Sequence, residues 1–332
     1  MTVGYEMRSK NEIRVQKKQI SLGLICLFFI FLLLRNAEIA IAYVSQGLTL
    51  CAKTLIPSLF PFMVLSELLV ASGACDLLFK RISLPLRRLL KISSGGCSAL
   101  LLGVLCGFPV GARCAALSYE QGYVSREEAE RILALSSIPS PAFLISTVGT
   151  SLWKSTKFGV VLYLCALLSS IAVGILLGHK RRPTQDRSAT PQSINRHPAS
   201  AARLLCNSVR SALGSILLVC AYVVFFSALL GTLEYFPPVQ NLSEAARSIL
   251  FSAFELSGGI SAAASLPHTV TAALITAFAV GWSGFSVLFQ ILSTVESAGL
   301  SMRTYLRSKL LQALLCPLTV GILLWIFPAL IA

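Results

Sequence analysis

Apolar residues gather in runs long enough to cross a bilayer, and short basic or polar segments separate these runs. The first run, ISLGLICLFFIFLLL, follows a basic lead and predicts a transmembrane helix. The most uniformly apolar run covers residues 158–179 and predicts another span. A basic segment rich in Pro and Ser, 180–203, then divides the chain into two halves. The pattern predicts an all-α polytopic membrane protein.

Residues 38–54 follow the first span and alternate apolar and polar positions at helical spacing. This stretch contains Glu38 and Lys53, and it predicts an interfacial helix rather than a span. The first span itself has two interpretations. It is an uncleaved anchor, which the long basic lead favours, or a signal peptide cleaved near the AIA at 40–42.

Proline and glycine interrupt several of the later apolar runs. The run IPSLFPFMVLSELLVASG, from residue 56, holds two prolines and Glu67, the next run contains GFPVG at 107–111, and ILALSSIPSPAFLISTVG is broken by Pro139 and Pro141. Backbone groups freed by such breaks are tolerated in hydrocarbon only where protein or a water-lined cavity satisfies them. The breaks therefore predict interrupted or re-entrant helices around a site.

The second half repeats the order of motifs in the first half. The pairs are FPFMVLSELL (60–69) with YVVFFSALLG (222–231), KISSGG (91–96) with FELSGG (254–259), GFPVG (107–111) with GWSGF (281–285), and EQGYVS (120–125) with ESAGLS (296–301). No single pair is strong, but a shared order predicts a duplicated unit.

Charge gives the orientation of the two units. The chain is 55% hydrophobic and carries 28 Lys and Arg against 14 acidic residues, with the basic residues mainly in the segments 1–19, 80–91 and 180–203. These segments are predicted to be cytoplasmic, and the loop at 234–247 to lie outside. The units then run in opposite directions, which predicts two inverted repeats, the architecture of secondary transporters.

Four segments follow from this pattern. They are a basic N-terminus with the first transmembrane helix and the interfacial helix (1–55), a first repeat (56–179), a basic cytoplasmic loop (180–203) and a second repeat (204–332).

The breaks also predict where a small anion would bind. A helix that starts at a break directs backbone N–H groups and partial positive charge at the site, and Arg113 adds a full cation nearby. The predicted substrate-binding residues are Gly107, Phe108, Pro109, Gly111, Arg113, Ser137, Ser140, Glu255, Ser257, Gly258, Gly259 and Ser283. Glu67 and Glu255, acids within or beside apolar runs, are predicted to couple an ion or to pair with a cation.

Structural alternatives stay open for each of these residue types. Glycine and proline also serve helix packing in membranes, Arg113 also suits an interfacial position, and serines at helix breaks often cap their own backbone. We expect no metal or cofactor, because the ten cysteines form no CxxC and no cluster with histidine. We expect no nucleic-acid partner and no enzymatic activity, since catalytic motifs are absent.

Three stretches carry a resemblance to a known family. LIPSLFPFMVLSELL, GFPVGARCAALSYEQGYVSREEAERIL and SSIPSPAFLISTVGTSL resemble the YlbJ family of sporulation integral membrane proteins, which contain nucleoside-recognition (Gate-type) domains. The resemblance runs from about residue 40 to near the C-terminus. It implies a Gate-like, nucleoside-transporter-like fold. Two departures are Arg113, where the family pattern has Lys, and a shorter chain.

The resemblance also implies a role in endospore formation. It implies movement of dipicolinic acid, a pyridine dicarboxylate, from the mother cell toward the forespore, across the mother-cell-derived outer forespore membrane. The ring would pack on Phe108 or Trp282. A non-transporting scaffold for spore cortex or envelope assembly is the alternative. Expected partners are this small anion, the bilayer and either a second copy of the chain or other sporulation membrane proteins.

Overall fold

A computed structural model of the chain describes residues 2–72, 84–178, 200–267 and 269–328. Every regular element in these ranges is a helix. The helices are α1 (Thr2–Arg35), α2 (Ala37–Leu50), π1 (Cys51–Leu55), α3 (Ile56–Ala71), α4 (Leu84–Leu90), α5 (Ser94–Cys106), α6 (Val110–Glu120), α7 (Arg126–Ser136), π2 (Ala142–Leu152), α8 (Thr156–Gly178), α9 (Ala201–Glu234), α10 (Pro237–Gln240), α11 (Glu244–Phe254), α12 (Leu256–Ser265), α13 (Val270–Trp282), α14 (Gly284–Val295) and α15 (Arg303–Ile326).

Five helical segments in the described ranges are long and apolar enough to cross a bilayer. The pair α4 and α5, bent by 98°, makes a sixth if it is a single broken span. The apolar part of α1, Gln19–Arg35, is shorter than these. The five segments are Ala37–Leu69, Thr156–Leu177, Ala201–Glu234, Val270–Val295 and Arg303–Ile326. The all-helical polytopic prediction is therefore confirmed.

The first long span is one helical run that includes residues predicted to lie apart from it. α2, π1 and α3 follow one another without a break, so that 38–54, predicted as a separate interfacial helix, form the first half of the span. The run packs on α9, where a side chain at Gly47 would collide with Ser227 and one at Gly231 with Tyr43. The predicted loop 180–203 lies outside the described residues, apart from 200–203.

In the first half, α5 and α6 form a tight helical hairpin. α5 ends at Gly107, whose φ of +70° lies in the left-handed region that favours glycine. α6 then folds back so closely that a side chain at Gly103 would collide with Ser136 and with the backbone of Gly111. The Gly-Phe-Pro-Val-Gly stretch is therefore the tip of a helical hairpin rather than the middle of one continuous helix.

The tip of this hairpin crosses the break between α7 and π2. The Phe108 N–H donates to the Ile138 carbonyl at 3.2 Å, and Gly107 lies against the backbone of Ser140. Proline and glycine leave backbone groups unpaired at a break. Each break thus supplies a backbone hydrogen-bond partner for the other break.

The second half contains a hairpin of the same kind, formed by α11 and α12. Glu255, extended at φ −140° and ψ 124°, joins the two helices. A side chain at Gly259 would collide with the backbone of Ser252 across the hairpin, so glycine permits the close approach.

This second hairpin crosses the break between α13 and α14. Ser283 and Gly284 turn the chain there, with φ values of +72° and +79°. A Cβ at Gly284 would lie 3.0 Å from the Leu256 nitrogen, and the Trp282 indole donates to the Ala253 carbonyl at 3.0 Å. Each half of the chain therefore has one crossing of two helix breaks.

Helix α15 ties the two halves together through a buried polar cluster. Ser308 and Gln312 both donate to the Ala134 carbonyl of α7, at 3.1 and 3.4 Å. The buried Lys309 ammonium donates to Ser283 at 2.9 Å and to Gln312 at 3.2 Å. An ammonium within a span is costly unless such acceptors surround it, so this cluster fixes α15 against the break at Ser283.

A group of basic residues lies at one end of the helices. Glu128 of α7 accepts from the Ser93 N–H at 2.6 Å, and Arg126 donates to the Gly299 carbonyl at 2.7 Å, so the starts of α5, α7 and α15 lie together. The positive-inside rule predicts that this end is cytoplasmic. Basic residues near these starts are Arg87, Arg88, Lys91, Arg126, Arg131, Arg303 and Arg307. The inverted-repeat relation and the Gate-like fold stay predictions.

We expect Gly103→Ala to lower the stability of the folded chain. The added methyl group has no room between α6 and α7, and overpacking of this kind typically costs about 1–3 kcal/mol. The matched control is Gly23→Ala, because a Cβ at Gly23 of α1 meets nothing within 4 Å. Thermal unfolding in detergent measures both variants. Equal midpoints for the two variants would contradict the hairpin packing described above.

Candidate functional site

A small cavity of about 30 Å³ lies between the two crossings. Phe108, Pro139 and Ser140 of the first crossing form one wall. The second crossing contributes Glu255, Leu256 and Ser257, and the remaining walls come from the first long span, π2, α9 and α14. The other lining residues are Leu55, Leu59, Phe62, Met63, Cys106, Phe143, Val219, Val223, Val287 and Gln290.

Polar groups reach this apolar interior because the chain breaks there. Pro109, Pro139 and Pro141 cannot donate a backbone hydrogen bond, and the extended Glu255 ends α11 before α12 begins. The hydroxyls of Ser140 and Ser257 therefore lie at helix starts deep in the protein rather than at its surface.

Glu255 occupies the helix start that was predicted to bind an anion. Its carboxylate accepts from the Ser257 N–H at 2.9 Å and from the Gly258 N–H at 2.5 Å, and the side chain is buried. These are the amides that an anion would need at the start of α12. The predicted anion site at the Ser-Gly-Gly start of α12 stays a prediction, and an anion there would have to displace the Glu255 carboxylate from these amides.

The Ser-Ser-Gly-Gly start of α5 holds a carboxylate of the chain in the same way. Ser93 caps α5 by accepting from the Gly96 N–H at 3.1 Å, and the Ser93 N–H donates to Glu128. A side chain at Gly96 would collide with that carboxylate. Both glycine-pair helix starts are thus stabilised internally by a buried acid.

The structure divides the predicted substrate-binding residues into three groups. Those that line the cavity are Phe108, Ser140, Glu255 and Ser257. Pro109 and Arg113 line a second concavity, next to the first. The others line neither concavity and are Gly107, Gly111, Ser137, Gly258, Gly259 and Ser283.

Several residues of the third group have structural roles that explain their position. Gly107, Gly111 and Gly259 allow the close approaches of the two hairpins. Ser137 donates to the Leu133 carbonyl at 2.5 Å. Ser283 accepts from Lys309 and donates to its own helix, so its hydroxyl is turned away from the cavity.

Arg113 lies outside the cavity and has partners within the chain. It donates to the Ser211 hydroxyl at 2.6 Å, and its guanidinium lies 3.6 Å from the Glu67 carboxylate. The Arg113 side chain is 45% exposed. The structural alternative for Glu67, a pair with a cationic neighbour, is the one that the structure contains.

Gln290 is a cavity residue that sequence analysis missed. It is 1% exposed on α14, lines the cavity, and its Oε1 finds no hydrogen-bond partner among the described residues. A buried amide without a partner is uncommon because it loses its hydration without compensation. The available signal was a single amide within the apolar run GFSVLFQILSTV.

The lining of the cavity matches a flat apolar body with polar edges, which would enter only a more open conformation of the protein. Phe108 and Phe143 provide aromatic surface, whereas Ser140, Ser257 and Gln290 provide hydrogen-bonding groups. No Lys, Arg or His of the described residues lines it, and its one ionisable carboxyl is that of Glu255. An anion would enter this cavity only if the charge of that carboxyl were removed or balanced.

We expect Glu255→Ala to destabilise the chain more than Glu255→Gln. Alanine leaves two buried amides without acceptors, at a cost of about 1–3 kcal/mol, whereas the glutamine oxygen still accepts from one of them. Glu244→Ala, at the start of the same hairpin, is the control. Thermal unfolding in detergent should rank the variants Glu244→Ala, Glu255→Gln, Glu255→Ala in order of falling midpoint. A Glu255→Ala midpoint equal to that of the control would refute the capping role.

A comparison with known proteins places these features in context. The chain is similar to the sporulation integral membrane protein YlbJ of Bacillus subtilis (strain 168), with 24% identity over 341 residues that cover 92% of this chain and 83% of that protein. No family model matches the chain. No solved structure matches it. The chain is an integral membrane protein, and the similarity supports a place among YlbJ-like sporulation membrane proteins.

Proposed function

We propose that the protein is a sporulation membrane transporter that moves a small anionic solute by alternating access between two inverted repeats. The observation that carries this proposal is the cavity between two crossings of broken helices, with the unpartnered Gln290 amide in its wall. Secondary transporters bind their solutes at such breaks. The similarity to a sporulation membrane protein supports sporulation as the process in which the solute moves.

Dipicolinic acid is the solute that we propose, and its identity rests on the family resemblance. Its flat ring suits the surface offered by Phe108 and Phe143, and its polar edges suit Gln290, Ser140 and Ser257. Movement from the mother cell toward the forespore is the direction that the resemblance implies. The chain needs no cofactor for this function, and we propose no enzymatic step.

We assign proton coupling to Glu255 rather than to Glu67. Glu255 lies in the cavity wall, where two like charges about 6 Å apart repel by roughly 3 kcal/mol at an effective dielectric constant near 20. A proton on Glu255 removes this repulsion when the anion enters. Glu67 instead lies beside Arg113, outside the cavity.

A non-transporting membrane scaffold is the second candidate function. Helix α1 favours it, because many of its large apolar side chains are exposed and available to a protein partner, among them Leu22, Leu27 and Leu34. Lipid covers such a surface equally well. A reconstituted transport assay separates the two functions.

The transport proposal predicts saturable uptake of labelled dipicolinate into liposomes that contain the purified protein. We expect Gln290→Leu to lower this uptake at least about tenfold, because a buried hydrogen bond to a charged group is worth about 1.5–3 kcal/mol. Gln240→Leu is the matched control, since Gln240 is an exposed residue of α10 that does not line the cavity. Folded wild-type protein that gives no uptake under any ion gradient would favour the scaffold.

The coupling assignment predicts a separate effect of Glu255→Gln. This variant keeps an acceptor for the start of α12, so we expect folded protein whose dipicolinate uptake no longer responds to a proton gradient. Glu244→Gln, on the same hairpin but outside the cavity, should respond as wild type does. Proton-driven uptake that persists in Glu255→Gln would show that another group carries the proton.

A further inference from the structure

A second concavity, which we call the vestibule, lies beside the cavity and has the opposite electrostatic character. Its volume is about 540 Å³. Two cationic side chains line it, one from α6 and one from α9, together with amide and hydroxyl groups from α9 and α14. The residues that matter for its chemistry are Arg113, Arg210, Asn207, Ser211, Ser293 and Thr294.

The vestibule and the cavity are neighbours along three elements of the fold. At the hairpin tip, Phe108 lines the cavity and Pro109 lines the vestibule. Along α9, Leu218 belongs to the vestibule and Val219 to the cavity. On α14, Gln290 faces the cavity one turn before the vestibule begins. The side chain of Phe108 therefore stands at the boundary between the two spaces.

The vestibule belongs to the basic end of the protein. Arg210 lies nine residues into α9, about 14 Å from the first residue of that helix, Ala201. α9 follows the basic segment 180–203, and α14 leads into the turn at Gly299 that Arg126 contacts. The positive-inside rule assigns this end to the cytoplasm.

Charge is thus separated along the path that a solute would follow. The vestibule offers two guanidinium groups, and exposed Arg210 makes one of them available to solvent. Arginine presents a planar donor fork that matches a carboxylate. The cavity beyond Phe108 has no cationic lining among the described residues.

Glu67 competes for the same arginine. Its carboxylate lies 3.6 Å from the Arg113 guanidinium, so a carboxylate of a bound solute would share or replace this contact. If a carboxylate of the solute replaces that of Glu67, Arg113 keeps a carboxylate partner throughout. The displaced Glu67 carboxylate loses its cationic partner in this exchange, so solvent or a proton must stabilise it.

We propose that the vestibule is a second anion site, which binds a dicarboxylate on Arg113 and Arg210 before the solute passes Phe108 into the cavity. The inference deepens the proposed function and rests on it for the order of the two sites. Anion binding in the vestibule itself is independent of transport, because it requires only the arginines and their neighbours.

Equilibrium binding of labelled dipicolinate to the full chain in lipid-free detergent tests the vestibule. In the Gln290→Leu background, which removes the cavity interaction, we expect residual binding that weakens as salt rises. Adding Arg210→Gln or Arg113→Gln should lower this residual affinity at least about fivefold, since each removes a charged hydrogen-bond donor. Adding Glu67→Gln should raise the affinity about two- to fivefold, as it frees Arg113.

Arg203→Gln is the matched control, because Arg203 lies on α9 two turns before Arg210 and does not line the vestibule. It should bind as the background does. Unchanged binding in both the Arg113 and Arg210 variants would overturn the proposal, even where uptake succeeds. Binding in the vestibule without uptake would instead refute only the transport proposal.

Anionic lipid headgroups, like the proposed solute, carry negative charge that arginine side chains can bind. A separate competition experiment therefore tests them. Phosphatidylglycerol added to the detergent should compete weakly, because the proposed site takes a dicarboxylate. If phosphatidylglycerol binds and dipicolinate does not, the vestibule is a lipid site and the proposal fails.

Discussion

Backbone groups at a helix break cannot be left unpaired in hydrocarbon, and this constraint shapes the whole interior of the protein. The protein satisfies these backbone groups by packing two helix breaks against each other in each half of the chain. The Phe108 N–H donates to Ile138 across the first crossing, and Gly284 lies against the backbone around Glu255 in the second. Glycine is required where the crossings are closest. The cavity is the space that remains between two such crossings.

The same constraint decides where charge can be placed. Buried carboxylates cap the starts of α5 and α12, so the positive ends of these helices are already balanced within the protein. An incoming anion therefore finds hydrogen-bonding groups but no free cation in the cavity. Arg113 and Arg210 line the neighbouring vestibule instead. Under the proposed function, this separation would let charge attract a solute first, and shape and hydrogen bonds would hold it afterwards.

Sequence analysis located the breaks well because proline and glycine act on their own neighbours. It could not tell which break crosses which, because that depends on how distant helices pack. The motif order paired GFPVG with GWSGF, whereas GFPVG forms a hairpin tip like that at Glu255. It also assigned Arg113 to the same pocket as Glu255. In the structure, Arg113 lines the vestibule and Glu255 lines the cavity, and the Phe108–Pro109 tip borders both spaces.

Gln290 and Lys309 show a second limit of sequence analysis. Each is a single polar residue in an apolar helix, and only the packed structure reveals that one lacks a partner while the other has two. A polar residue in a span can be noted from sequence, but its surroundings cannot. The start of α12 shows the same limit, because the Glu255 carboxylate accepts hydrogen bonds from amides that the sequence alone suggests are free.

The central claim is that the space between the two crossings is a solute-binding site. An experimental structure of the protein determined with saturating dipicolinate tests this claim most directly. The account predicts density for the ligand between Phe108 and Gln290, within hydrogen-bonding distance of the Gln290 amide. Density confined to other surfaces of the protein, or a cavity that stays empty at saturation, would contradict it.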